Sequence, residues 1–284
     1  MFKKIAVLIE FSSPVVPLLS EAKRLQETFK CELFFIHVEK KDLYEQQVEQ
    51  EEGKEQGSTR ELLFLDPEAK QFIIWETGNP VVKVLDFCRK EGIDLLITGA
   101  YKKDSLIDYY IGSTILDIIR NTICSTLILK DPSEEPFPFK DIVIDGSDRG
   151  SSMKALQIGC SIARFAKSNR IHVLKGIQLF GFKMSVASEY SLKKYNTKRK
   201  GLIEGELDNL SEKLKAIDTS GLKIHLRVTK GRHGAEVSNF AKEMGADLIV
   251  APGPDHTLDI IDRIIPHDIE FILKDLPSNF LIVV

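Results

Sequence analysis

Gly92-Ile-Asp-Leu-Leu-Ile97 returns further along the chain as Gly245-Ala-Asp-Leu-Ile-Val250. Each copy ends in a short apolar run, the pattern of a strand buried on both faces. Two more echoes accompany it. Phe2-Lys-Lys-Ile-Ala-Val7 resembles Phe139-Lys-Asp-Ile-Val-Ile144, and Thr126-Leu-Ile-Leu129 resembles Phe280-Leu-Ile-Val283. The offsets are 137, 153 and 154 residues, so one unit recurs and its second copy carries extra residues in the middle. Between the copies runs Lys130-Asp-Pro-Ser-Glu-Glu-Pro-Phe-Pro138, with three prolines and three acids. Proline fixes φ and removes a donor, so this stretch reads as a stiff, exposed linker. The division it implies is 1–134 and 135–284.

Working outward, the first copy alternates strands with helices. Ile5–Ile9 is the first strand. Ser12 or Ser13 can cap the next helix, with Pro14 in its first turn and Leu18, Leu19, Ala22 and Leu25 at helical spacing. Leu33–Val38 is the second strand. Residues 39–58, rich in Glu, Gln and Lys, read as a solvated excursion. Phe72–Trp75 is the third strand. Asn79-Pro80 opens a helix as cap and first residue, with Val84, Leu85 and Cys88 on its apolar face. Leu95–Thr98 and Thr126–Leu129 are the fourth and fifth strands. The second copy follows the same plan from Ile142–Ile144, with a longer second helix striped by Leu202, Ile203, Leu207, Leu210, Leu214 and Ile217. This stripe reads as core. Leu222–Val228 is its third strand. Alternating elements of these lengths predict an α/β fold class: two doubly wound five-stranded parallel-sheet domains in tandem. In such sheets ligands sit beyond the carboxyl ends of the strands, where the strand order reverses.

Composition narrows the class. The chain has 284 residues, 43% hydrophobic and 29% charged, ordinary for a globular protein with two cores. Its net charge of −3 gives no electrostatic reason to expect nucleic acid as a ligand. No apolar run reaches the ~18 residues that span a bilayer, and Glu10 cuts short the apolar run of the N-terminus. A cytoplasmic protein without membrane insertion is expected. Cys31, Cys88, Cys124 and Cys160 stand at neither metal-ligand nor redox-motif spacing and read as small core residues. The six histidines show no HxxxH or HxH pattern, so no metal is required.

The chemistry concentrates after the fourth strand, in Thr98-Gly-Ala-Tyr-Lys-Lys-Asp-Ser-Leu-Ile-Asp-Tyr-Tyr-Ile-Gly-Ser-Thr114. This segment leaves a strand on Gly99 and enters a helix on Gly112-Ser113. Glycine lets backbone approach a phosphate closely, and the N–H groups that open a helix attract anions. The Ser113 and Thr114 hydroxyls can bond the same oxygens. The spacing is Gly99-x2-Lys102-x9-Gly112-Ser113.

That spacing resembles the G-x2-G-x9-G-[ST] motif of ATP-binding universal stress proteins, with Lys102 in place of the second glycine. Gly78-Asn-Pro80, His37-Val38 and Asp94-Leu-Leu-Ile97 add to the likeness, which covers nearly the whole chain. The resemblance implies an adenine nucleotide alpha hydrolase-like fold and a stress-response regulator binding ATP, ADP or AMP in its first domain. It implies that Glu10 faces the nucleotide, that Val38 flanks the adenine, and that Thr98, Gly99, Gly112, Ser113 and Thr114 line the phosphates and ribose. Lys102 either approaches the phosphates as a point charge or blocks the backbone approach that glycine allows.

The second copy departs from the motif. Pro252 or Gly253 stands near the first glycine, and Pro266-His267-Asp268 replaces Gly-Ser-Thr. Proline removes a donor and Asp268 repels a phosphate. Asp145-Gly-Ser147 looks like the family's acid after strand one, yet an ungapped count places Ser147 there and Asp145 inside the strand. No ordinary ATP site is expected in this half. The competing reading is a nucleotide-free pseudo-dimeric stress adaptor acting through contacts with an unknown protein partner. A slow ATP hydrolase ranks third, because no nucleophile-base pair or metal carboxylates stand out. The family resemblance also implies pairing of the fifth strands, Thr126–Leu129 with Phe280–Val283, as an intrachain pseudo-dimer. A monomeric chain and a homodimer of such chains both fit.

Overall fold

The computed structural model describes residues 1–10, 15–39, 73–102, 109–134, 139–177, 189–253 and 267–284. The proposed helix cap at Ser12–Pro14, the excursion at 40–58 and Lys103–Asp108 lie outside them. The chain divides into two compact units, one built on Met1–Phe137 and the other on Pro138–Asp255 with Pro266–Val283.

In the leading unit the elements run β1 (Lys4–Leu8), α1 (Val15–Phe29), β2 (Glu32–Glu39), β3 (Ile73–Thr77), α2 (Pro80–Glu91), β4 (Leu95–Lys102), β5 (Tyr109–Tyr110), α3 (Ser113–Asn121) and β6 (Ser125–Lys130). The sheet order is β3-β2-β1-β4-β6, all parallel, with β5 antiparallel to β4. Ile5, Ile9, Leu95, Leu96, Ile97 and Ile128 are fully buried, as unbroken apolar runs in a sheet covered on both faces should be. The helix at Asn79-Pro80 begins as its sequence dictates: Asn79 Oδ1 accepts the Val82 N–H at 3.2 Å, and Pro80 needs no donor there. It ends on Gly92 in the left-handed conformation, where a Cβ is costly. Of its expected apolar face, Val84 and Cys88 are buried; Phe87 joins them, and Leu85 is half-buried.

The trailing unit repeats the plan: β7 (Asp141–Asp145), α4 (Ser152–Ala166), β8 (Arg170–Ile177), α5 (Glu189–Lys215), β9 (Ile224–Lys230), α6 (His233–Met244), β10 (Leu248–Pro252), α7 (His267–Asp275) and β11 (Asn279–Val283). Its order is β9-β8-β7-β10-β11, again parallel. The chain is therefore α/β, with two doubly wound five-stranded parallel sheets in tandem.

The shared Gly-x-Asp motif has a structural task. Asp94 Oδ2 accepts the N–H groups of Lys3 and Lys4 at 2.7 and 3.0 Å. Asp247 Oδ2 does the same for Lys140 and Asp141 at 2.8 and 2.9 Å. Each carboxylate clamps the start of its unit's first strand to the start of the fourth.

Two expectations need correction. The fourth strand does not end at Thr98; it runs on to Lys102, because Gly99 and Ala100 keep pairing with Leu129 and Lys130 and the last two residues pair with β5. The apolar stripe of α5 is only partly core. Leu210 is buried, Ile203, Leu207 and Leu214 are half-buried, and Leu202 is 47% exposed. Helical spacing defines a face but not how much of it the sheet covers.

Candidate functional site

In the leading unit the chain winds from β1 to β3 on one side and from β4 to β6 on the other, so the order reverses between β1 and β4. The carboxyl ends there form the edge where such folds hold ligands. Glu10 follows β1 and is exposed. Val38 lies near the end of β2, paired with Glu76. Thr98 is buried in β4 beside Ile128, and Gly99 stands next to it inside the strand. Lys102 closes β4 opposite Tyr109. Gly112 caps α3, whose first turn contains Ser113 and Thr114. Glu10, Val38 and the Thr98–Lys102 segment thus come to the carboxyl ends of three neighbouring strands. A helix that leads into parallel β6 must start near that same edge.

Two conformational details differ from the sequence reading. Gly99 is strand backbone rather than a turn. Gly112 has φ −60° and ψ 150°, an extended conformation open to any residue. What Gly112 contributes is the lack of a side chain over the helix start. As the N-cap residue, Gly112 brings no side chain to cap α3, and the first turn contains no acid. The dipole end therefore keeps its positive character.

His37 was noted in sequence only for its place in a motif. Its Nδ1 donates to the Ile9 carbonyl at 2.9 Å, while the Ile9 N–H donates to the Ile36 carbonyl at 2.9 Å. The imidazole also packs edge-on against Trp75, with centroids 5.0 Å apart. These bonds fix where the chain leaves β1 and so where Glu10 begins.

The trailing unit has its own reversal, between β7 and β10. Its register settles which residues correspond. Ile5 pairs with Leu95 and Ile142 with Leu248, so Ser147 stands where Glu10 stands and Asp145 belongs to the strand. By the same register Lys175 replaces His37 and Gly176 replaces Val38. His233 takes the position of Pro80 at the start of its helix, and Asp268 that of Thr114.

These replacements bind one another. His233 Nε2 donates to Asp145 Oδ1 at 2.6 Å, and the Ser147 N–H donates to the same oxygen at 2.7 Å. The Gly176 N–H donates to His233 Nδ1 at 2.8 Å, which uses the second ring nitrogen. Asp145 is wholly buried. Burial alone would raise its carboxyl; the His233 interaction and the Ser147 amide outweigh burial and hold it below the usual carboxylate range. Asp268 Oδ1 accepts the Gly234 N–H at 2.8 Å, and its Oδ2 pairs with Arg149. Lys175 Nζ bonds Glu206 at 2.5 Å and also Asp148, which Lys213 shares.

Two glycines let these groups meet. A Cβ on Gly176 would sit 2.7 Å from His233 Cα, and one on Gly234 would sit 2.3 Å from Asp268 backbone. The leading unit carries Val38 and Val81 at these positions. The start of α6 is therefore pressed against both β8 and α7. Asp268 supplies an internal carboxylate to the helix N–H that an outside anion would seek.

Among the described residues no three His, Cys, Asp or Glu side chains gather as a metal site, and no helix is long and apolar enough to cross a membrane. Residues 1–130 match the model of the universal stress protein family. No curated protein matches the chain. Its architecture is similar to that of a universal stress protein from Archaeoglobus fulgidus, at 11% identity and TM-score 0.66 over 99% of this chain and 97% of that one. It is likewise similar to a functionally unknown protein from Pseudomonas aeruginosa, at 15% identity and TM-score 0.63 over 99% of this chain and 92% of that one. At these identities the likeness concerns the fold, and the match to the universal stress protein family is that of residues 1–130.

Proposed function

We propose that the leading unit binds an adenine nucleotide, ATP, ADP or AMP, at the reversal between β1 and β4, and that the protein works as a stress-response regulator through this binding. The observation that carries the reading is the start of α3. It lies at the ligand edge of the sheet, with no side-chain cap and no acid in its first turn. A phosphate group suits such a helix start. In this reading Gly112, Ser113 and Thr114 hold the phosphates, Thr98 and Gly99 form the floor, Val38 borders the adenine, and Glu10 faces the sugar. Lys102 either adds a positive charge beside the phosphates or obstructs their approach. The trailing unit takes no nucleotide in this reading, because Asp268 and Glu270 lie in the first turn of α7, the counterpart of α3, and would repel a phosphate.

The test is direct. The purified chain is denatured and the supernatant assayed for purine nucleotide. Binding of added ATP to the nucleotide-free chain is then measured calorimetrically. Gly112→Asp places a carboxylate at the helix start and should remove binding, whereas Asp268→Asn should leave it unchanged. Unaltered affinity in Gly112→Asp would sink the assignment. Lys102→Gly decides the role of that lysine: weaker binding makes it a ligand, stronger binding an obstruction.

A further inference from the structure

An imidazole is buried in the trailing unit without a hydrogen bond. His172 lies in β8 and is 6% exposed. Neither of its ring nitrogens has a hydrogen-bond partner among the described residues. Its register partners are Val143 on β7 and His225 on β9. The ring stacks on that of His225, with centroids 5.1 Å and planes 27° apart. It also meets Phe240 of α6 edge-on, with centroids 5.1 Å apart. The Arg227 guanidinium lies 4.9 Å from the centroid of the same Phe240 ring. A buried polar group without a partner is costly, and a buried charge without one costs more.

The surroundings resist a positive charge. The charged and titratable groups that act on His172 are Arg227 and His225 from β9, Arg170 from β8 itself and Asp141 from β7, while α6 presents the Phe240 ring. Asp141 is the one acid among them, and Arg170 already binds both of its oxygens at 2.6 Å. Burial, then Arg227, His225 and Arg170, hold His172 below the usual histidine range against the pull of Asp141. The repeat supplies an internal control. By register, Phe34 stands in the leading unit where His172 stands here, and Phe87 stands where Phe240 does. Phe34 and Phe87 also meet edge-on, with centroids 6.1 Å apart. The fold accepts phenylalanine at this place, so packing does not call for a ring that titrates.

We propose that His172 is an acid-operated release for the edge of the trailing sheet: on taking up a proton it detaches β9 from β8. β9 is the outermost strand of the trailing unit and pairs with β8. In the closed form an imidazolium at His172 has no acceptor and faces the Arg227 and His225 of that strand. Moving β9 away carries both off and admits water to the ring. The released form bares the backbone edge of β8, on which another strand can pair. The linkage has one direction. A histidine whose folded pKa lies below its unfolded value of about 6.5 stabilises the closed form above that value, and this stabilisation is lost as the pH falls through it toward the folded one. His172 is near the amino end of β8, away from the nucleotide edge, and the release stands independently of nucleotide binding.

The experiment follows amide exchange of the full-length chain by mass spectrometry from about pH 7.5 to about pH 5, corrected for the intrinsic rate at each pH. Protection of the β8 and β9 peptides should hold down to about pH 6.5 and then fall by up to about tenfold per pH unit, the limit for one proton. Peptides of β1–β6 should keep theirs across the range. In His172→Phe, which installs the leading unit's own residue, the fall should vanish; in His225→Gln it should persist. Circular dichroism checks that both variants fold. The ring-proton resonance of His172 in the unaltered chain needs no variant: it should still report neutral imidazole at about pH 6, below the ordinary histidine midpoint. Flat protection of β8 and β9 in the unaltered chain overturns the proposal. So does a fall shared by β1–β6, one that survives in folded His172→Phe or disappears in His225→Gln, or a His172 resonance that titrates at or above the ordinary midpoint.

Discussion

The two sheet reversals are built on one plan and filled in opposite ways. In the leading unit the exit of β1 is pinned by the hydrogen bond of His37 to the Ile9 carbonyl, and α3 starts on a glycine with no acid in its first turn. In the trailing unit the same region is closed by carboxylates and their partners: Asp145 with His233, Asp268 with Arg149 and the Gly234 N–H, Lys175 with Asp148 and Glu206. The contrast shows how one fold can fill the same crevice with different side chains. Buried polar groups need partners. The trailing copy draws several of these partners from its own side chains, and small residues such as Gly176 and Gly234 let the elements close in.

If the trailing crevice depends on its internal partners, removing one should cost far more there than any matching change in the leading unit. His233→Ala leaves the Asp145 carboxylate buried without its imidazole. A loss of about 3 kcal/mol is expected, the upper end of the cost of leaving a buried acceptor without its donor. Denaturant unfolding combined with amide exchange should show protection falling in β7–β11 while β1–β6 keep theirs. A loss spread evenly over both units would break the comparison.

Gly234→Ala tests the closeness of the helix starts. Its new Cβ meets Asp268 backbone, which cannot swing aside like a side-chain tip. Overpacking of about 1–3 kcal/mol is expected from unfolding midpoints. In the leading unit Val81 already carries a side chain at this position.

Acid should separate the units without a mutation. Asp141, Asp145, Asp148 and Asp218 are all held below their ordinary range, and all four belong to the trailing unit. A carboxylate with a folded pKa below its unfolded value of about 3.9 stabilises the fold above that value. That stabilisation drains away as the pH falls through the unfolded value toward the folded one. Amide exchange followed below about pH 4 should therefore show the trailing unit opening first. Earlier opening of β1–β6 would count against the charge contrast.

The smallest effect is expected at Leu202. Sequence spacing puts it in a core stripe, but the side chain is 47% exposed. Leu202→Gln should change stability by less than about 0.5 kcal/mol in a denaturant titration. A larger loss would mean that the α5 stripe is covered more fully than its exposure indicates.

Much of this was legible in the chain. The apolar runs at Ile5 and Leu95, the cap at Asn79-Pro80 and the repeated Gly-x-Asp are local signals, and local signals survive in sequence. The position of Ser147 against Glu10 was also countable, because the strand carries no insertion. Other features were not legible. That β4 continues past Gly99 depends on Leu129, Lys130 and Tyr110 being beside it. The Asp145–His233 contact joins residues on separate elements, with no spacing motif to announce it.

By itself the sequence determined the tandem α/β plan and the loss of the phosphate motif in the second copy, since apolar period, helix caps and motif spacing are properties of neighbouring residues. Only the tertiary structure decided that Asp268 reaches Gly234 and Arg149 and that His233 lies on Asp145. Those contacts depend on how closely helices approach across the sheet, and that distance is set by side-chain volume at positions far apart in the chain, such as Gly176 against His233.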